Sequence, residues 1–412
     1  MPAPTRRTAL AAAAALPFAL SRAADPPKAV EPKAVAAVVT IYTPLSHADV
    51  ILTKILEGWE HDGKAGPALK LAALYVDQFP KADIARDLCK KHGVPIFDSI
   101  EMAVTVGGKG IPVDGVLSIG EHGDYPTNKL GQKLYPRRRF LTEITDAFEK
   151  HGKVVPVFND KHLGPQWDDA KWMYDRAVKL KVPFMAASSL PVTYRTRTLD
   201  VPMGSEIESA VGIGYSGLDI YGFHALECYQ TVVERRKKAE AGVRSVQCLE
   251  GKAVWKAVDD GLVDREVLDA VWEAIPHADE AKGLRDDDRP VLFLFEYADG
   301  FRGAQFMLPH ARLTGVGVRL KGGKPQATGF EERVDPVRPH FAFLLKAIER
   351  MIHTGQPPYP VERTLLTSGI LDRALTSKAD GGKKQVTPEL AIGYTPVDYP
   401  HAPKPELTAA PK

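Results

Sequence analysis

Ionisable side chains gather at the ends of apolar segments in this chain. Residues 36–42 are followed by Ser46, His47 and Asp49, and Gly115–Ile119 by Glu121, His122 and Asp124. Residues 154–158 run into Asn159, Asp160, Lys161 and His162. Farther on, His224 and Glu227 stand three apart in IYGFHALECYQTVV, a spacing that puts both on one face of a helix. An ammonium at Lys161 would orient a reacting hydroxyl, and an imidazole at His224 would take its proton. The carboxylates and imidazoles of His47, Glu121, His122 and Asp160 bond well to sugar hydroxyls. Glu121, His122, Asp160, His162 and His224 also offer donors to a divalent metal, although their spacing matches no ligand motif.

These residues need a scaffold that brings strand ends together. From Ala34 to Ser189 apolar strands alternate with amphipathic helices, which predicts a parallel sheet with crossover helices. The strands are expected at 36–42, Leu69–Val76, 95–97, Gly115–Ile119, 154–158 and 183–188. In such a sheet ligands bind beyond the carboxyl ends of the strands, where the ionisable groups lie. Asp77, closing the second strand, is placed to accept bonds from a ribose, or to cap the next helix. The first strand-to-helix turn, TPLSHAD, has no glycine. A dinucleotide would have to rest its phosphates on Ser46 and the amides of residues 47–49, beside Pro44, which has no N–H to donate. Arg137, Arg138 and Arg139 form a basic run at a helix start, expected to be solvated or paired with the Glu121–Asp124 carboxylates.

After residue 190 the pattern changes. Strands at PVLFLFEYAD, FRGAQFML, HARLTGVGVRL and KPQATGFEE follow one another through short turns, which predicts a mainly antiparallel sheet. Helices close the sequence at HFAFLLKAIERMIHTG and VERTLLTSGILDRALTS. The fold class is α/β: a Rossmann-like parallel domain over 34–189 and a second α/β domain with a large antiparallel sheet over 190–377. An apolar face left open on that sheet would suit a homo-oligomer. Residues 378–412 are an extension, expected to be disordered after Tyr399.

The chain has 412 residues and a net charge of +2, which leaves no basic footprint for nucleic acid. No apolar run is long enough for a membrane span. Residues 1–24 read as a signal peptide of the twin-arginine type, with Arg6 and Arg7 ahead of an alanine-rich run, and 25–33 as a linker. This predicts export to the periplasm or beyond. Cys89, Cys228 and Cys248 are read as buried small hydrophobes.

The order of elements, with VDQFPKADIARDLCKKHGVPIFDSIEMA, VDGVLSIGEHGDY, VVPVFNDKHL and GFHALECYQTVV, resembles the glucose-fructose oxidoreductase / inositol dehydrogenase (Gfo/Idh/MocA) family over about residues 34–377. The resemblance implies an NAD- or NADP-dependent oxidoreductase acting on a small sugar or polyol. It implies that Lys161 stands for the family's lysine of Glu-Lys-Pro, with Asp160 in place of the glutamate and His162 in place of the proline. His224 stands for the catalytic histidine, with Glu227 for the aspartate three residues on. Lys161, His224 and Glu227 are thus the expected catalytic set, and Ser46, His47, Asp77, Glu121, His122 and Asp160 the expected cofactor side. Two alternatives use the same scaffold: a cofactor-free carbohydrate-binding protein, and a metal-assisted lyase, epimerase or hydrolase.

Overall fold

A computed structural model describes residues 30–403; the signal-peptide expectation lies outside them. Of the described residues, those from Pro32 on form one compact unit. Its elements are β1 (Lys33–Val39), a wide π-type turn (Asp49–Thr53) running into α1 (Lys54–Glu57), β2 (Leu69–Val76), α2 (Ala85–His92), β3 (Ile96–Phe97) and α3 (Ile100–Val104). Then come β4 (Gly115–Ile119), α4 (Arg137–His151), β5 (Val157–Asp160), α5 (Trp167–Lys179) and β6 (Phe184–Ala187). The second half holds β7 (Tyr194–Arg195), β8 (Ile207–Gly214), α6 (Ile220–Val233), β9 (Val243–Glu250), α7 (Lys252–Asp259) and α8 (Arg265–Glu273). Strands β10 (Val291–Tyr297), β11 (Arg302–Met307), β12 (Thr314–Leu320) and β13 (Pro325–Glu331) follow. The helices α9 (Pro339–Thr354) and α10 (Glu362–Ala379) and strand β14 (Gln385–Val386) complete the chain.

The first sheet is parallel, in the order β3-β2-β1-β4-β5-β6. Its register aligns the strand ends that matter: Val39 pairs with both Val76 and Ile119, and Asp160 with Ala187. Thr40, Asp77, Glu121 and Lys161 therefore leave the sheet along one edge. Alternate residues of β1 face two different cores, Ala36 and Val38 on one side and Val35, Ala37 and Val39 on the other. This explains why the strand reads as a continuous apolar run.

Helix α9 comes from the second half of the sequence but packs in the core of the first sheet. Phe343, Leu344, Ile348 and Met351 lie with Val35, Leu71 and Leu117. The approach is close: a Cβ on Gly115 would stand 2.1 Å from Ile352 Cδ1. The expected division at 189/190 thus separates the two sheets along the chain, while α9 crosses back.

The second sheet runs β14-β9-β10-β11-β8-β12-β13-β7, antiparallel except for the β11–β8 pair. Strand β9 was not expected from its sequence, VRSVQCLE. The face expected to lie open for an oligomer is partly covered: α7 and α8 bury Val211, Ile213, Leu292 and Phe306 under Val254, Val267 and Val271. The extension past 377 packs against the second sheet as far as Tyr394, and Ala402, past Tyr399 where disorder was expected, is held as well. Val386 pairs with Ser245, Tyr394 bridges to Glu240, and the buried Ala402 donates its amide to the Val192 carbonyl at 3.0 Å. All three cysteines are free and buried, as their composition suggested. Among the described residues no helix is long and apolar enough to cross a membrane.

Candidate active site

The pocket at the strand ends measures about 240 Å³, room for a small polar molecule. It lies between the carboxyl edge of the first sheet, the start of α6 and the segment joining β13 to α9. His47, Glu121, His122, Lys161 and His224 line it, together with Tyr221, Glu332, Arg338 and His340. Five residues singled out in the sequence therefore meet in one cavity.

The backbone there is strained. Nine non-glycine residues among those described have positive φ, and four of them, Leu45, His122, Lys161 and Arg338, line this pocket. His122 has φ 68° and Lys161 φ 65°. Such conformations cost of order 1–3 kcal/mol each and concentrate at functional sites. Here they turn two charged or titratable side chains off the ends of β4 and β5.

At the floor lies a buried ionic chain. Lys161 Nζ donates to Glu121 Oε1 at 3.0 Å, and Arg137 donates to Glu121 Oε2 at 2.6 Å. All three residues are almost fully buried. Burial alone would push the Glu121 carboxyl up, but Lys161 and then Arg137 outweigh it and hold the group well below the usual range. Arg137, expected to be solvated or paired with the Glu121–Asp124 carboxylates, is paired with Glu121; it is fully buried and also reaches His162 Nε2 at 3.1 Å. Only Arg138 and Arg139 pair at the surface, with Asp169 and with Glu143 and Asp77.

Around this chain His122, His224 and His340 are held below the ordinary histidine range. Burial first, then the neighbouring His47, brings His122 down to about 4. Burial and the Lys161 charge hold His224 well below its ordinary value. Burial brings His340 down to about 3; its Nδ1 lies 3.0 Å from the Arg333 carbonyl. His224 Nδ1 is 2.6 Å from Ser188 Oγ, which also accepts the Leu190 amide. With Nδ1–H donating to Ser188, Nε2 keeps its lone pair for a substrate hydroxyl. His47 is fixed by Asp160 Oδ2 at 2.6 Å and by the ring edge of Phe341.

Four expected residues do not line the pocket: Asp160, which reaches it only through His47, and Glu227, Ser46 and Asp77. Glu227, one turn beyond His224, accepts the hydroxyls of Thr367 at 2.7 Å and Thr364 at 3.2 Å from α10, and burial raises its carboxyl. Ser46 caps its own turn, accepting the amides of Thr43 and Asp49. Asp77 accepts the hydroxyls of Tyr75 and Tyr125 at 2.7 and 2.6 Å and an N–H of Arg139. His162 is buried behind the pocket, where burial and Arg137 keep it neutral. The proposed metal set does not converge: the one three-donor grouping among the described residues is Asp287, Asp288 and His310, elsewhere in the fold.

Sequence reading missed Glu332, Arg338 and His340. Glu332 is partly buried, receives the Tyr215 hydroxyl at 2.5 Å, and is raised by that burial. In the phrase GFEERVDPVRPHF these residues look like a solvated turn; only the return of α9 to the first sheet carries them to the pocket.

No protein-family model matches the chain, and no curated protein does. Solved structures do resemble it. GenD2 from gentamicin A biosynthesis, in complex with NAD, superposes with a TM-score of 0.55 at 12% identity, covering 87% of this chain and 97% of that one. The fold is that of the Gfo/Idh/MocA dehydrogenases. Myo-inositol dehydrogenase from Lactobacillus casei, in complex with NAD(H) and myo-inositol, gives 0.54 at 10% identity, with 86% and 96% covered. Myo-inositol 2-dehydrogenase from Lactobacillus plantarum gives 0.52 at 12% identity, with 86% and 99% covered.

Two of these neighbours were solved with NAD or NAD(H), and the residues present here do not fit the phosphates or ribose of such a dinucleotide. The turn after β1 offers Pro44, Leu45 and Ser46 where glycines would let the backbone approach a pyrophosphate. The Asp49 carboxylate takes the Leu45 amide at 2.8 Å, placing negative charge where an anion would bind. The Asp77 oxygens are already engaged by three donors.

Proposed function

We propose that the pocket takes a small sugar or polyol and moves a proton from one of its hydroxyls. What carries this reading is the meeting of Lys161, held by Glu121, with the His224 imidazole, kept well below its ordinary value by burial, in one small polar cavity. Lys161 donates one N–H to Glu121 and has two left for a hydroxyl or the oxyanion formed from it. His224 accepts the proton through Nε2, and Ser188 sets the ring's orientation. His47, His122 and His340 supply further hydrogen-bonding atoms for the remaining hydroxyls. The fold shared with an enzyme solved with myo-inositol supports a polyol as the substrate class.

A second reading is full NAD- or NADP-dependent hydride transfer, an oxidoreductase in the strict sense. It is favoured by the two fold relatives solved with NAD. Thermal melting of the protein against a panel of inositols, aldoses and their oxidised forms tests the polyol reading. A saturable shift for at least one, lost in Lys161→Met, is expected; no shift across the panel would refute it. Export by the twin-arginine route is proposed with it, and sequencing the mature N-terminus would show cleavage near residue 24.

A further inference from the structure

The edge of the first sheet carries a bridge. In the order β2-β1-β4, the exit of β1 lies between the other two exits. The loops leaving β2 and β4 are joined over it. Gln78 Nε2 donates to the Asp124 carbonyl and the Asp124 amide donates back to Gln78 Oε1, both at 2.9 Å. Beside this pair the Tyr125 hydroxyl donates to Asp77 Oδ2 at 2.6 Å, and its ring packs edge-on against Tyr135. The exit of β1 is stitched underneath: Gln78 N bonds to the Thr40 carbonyl at 2.8 Å, and Thr40 Oγ1 to the Glu121 carbonyl at 2.6 Å.

The bridge leaves no slack. A Cβ on Gly123, which has φ 99°, would lie 2.8 Å from the Tyr125 ring, 3.0 Å from Gln78 Oε1 and 3.3 Å from Ile41. A dinucleotide in a doubly wound sheet lies in the crevice outside these same strand ends, with its pyrophosphate over the β1 turn and its ribose at the β2 end. Here Gln78, Asp124 and Tyr125 hold each other across that path. Asp77, the one acidic residue at the β2 end, faces Tyr125 and Arg139 instead of a ribose.

We infer that the chain bridges its own dinucleotide crevice, and that the pocket works without bound NAD or NADP. The exclusion rests on the bridge. Its chemical consequence rests on the sugar or polyol reading above: with no hydride acceptor bound, the hydroxyl held at Lys161 passes its proton reversibly to His224, which returns it.

The test titrates NADH and NADPH into the full-length protein, followed by nicotinamide fluorescence, with the polyol melting assay run on the same sample. The native protein is expected to show no saturable binding up to about 1 mM, a concentration that reveals even weak sites. The Gln78→Ala/Tyr125→Ala double variant is expected to gain at least tenfold in NADH affinity, with Tyr125→Ala alone as the milder opening. Saturable binding by the native protein would overturn the inference, and so would an opened variant that folds and gains nothing. Dinucleotide exclusion without any polyol shift would refute the polyol reading while leaving the bridge intact.

Discussion

Lys161 Nζ and Glu121 Oε1 lie 3.0 Å apart with almost no exposure to solvent, and the second Glu121 oxygen holds Arg137. One carboxylate thus supports two buried cations, one structural and one facing the pocket. Removing it leaves both charges uncompensated. Glu121→Gln keeps the shape and is expected to cost about 3–5 kcal/mol of folding stability, measured by urea unfolding. Arg137→Met together with Glu121→Gln should recover part of that loss, because one of the two stranded charges goes with it. A loss below about 1 kcal/mol for the single variant would mean that water reaches the pair.

Acid should destabilise the fold well before its carboxylates titrate. His122 and His340 are held at about 4 and about 3, below the ordinary histidine value, mainly by burial. Between pH 6.5 and those values the unfolded chain binds protons that the folded chain refuses. Stability therefore falls as pH drops through this window, by about 1.4 kcal/mol per pH unit for each histidine. Glu121 acts lower: its folded value is depressed, so its contribution is present above the unfolded carboxylate value and is lost as pH falls toward the folded one. Urea unfolding from pH 7.5 to 4.5 should show the slope, and His122→Asn should flatten it. A stability independent of pH over this range would contradict neutral buried imidazoles.

How much of this was legible in the sequence depends on distance along the chain. The first sheet and its polar edge could be read because each strand and the turn after it are local, and register alone brings Glu121 beside Lys161. The helix spacing of His224 and Glu227 was also right, yet the roles diverged. His224 meets Ser188 and the pocket, whereas one turn later Glu227 meets threonines of α10, a helix about 140 residues away. Glu332 and His340 were invisible for a similar reason: nothing local says that α9 returns to the first sheet. The pairing of the arginine run with Glu121 was legible, but a run of three arginines looks solvated, and only the fold shows that its first member is buried there.

If His224 is the proton acceptor, its removal should separate chemistry from binding. For a polyol that shifts the melting temperature, and under the hydride-transfer reading, His224→Asn is expected to lower NAD- or NADP-dependent turnover by about 10²–10⁴-fold and to leave most of the melting shift. Ser188→Ala should lower turnover less, by loosening the ring without removing it. Equal loss of turnover and of binding in His224→Asn would assign the ring to holding substrate.

The return of α9 can be tested at one atom. Gly115 opens β4, and the space its side chain would fill is held by Ile352 Cδ1, 2.1 Å from the position of a Cβ. Pro156 O stands behind at 3.3 Å, so the added methyl gains room only if the Ile352 side chain turns away or α9 moves. Gly115→Ala should cost about 1–3 kcal/mol, the usual penalty for an added methyl in a filled core. Ile352→Val deletes the clashing methyl and should cost about 0.5–1.5 kcal/mol alone. Because the two residues touch, their effects should not add: the double variant is expected to be more stable than Gly115→Ala alone. Glu332 and His340 reach the pocket through the segment that leads into α9, so Gly115→Ala should also weaken polyol binding, and Ile352→Val should restore it. Additive losses in stability would show that the helix does not rest on the sheet at this point.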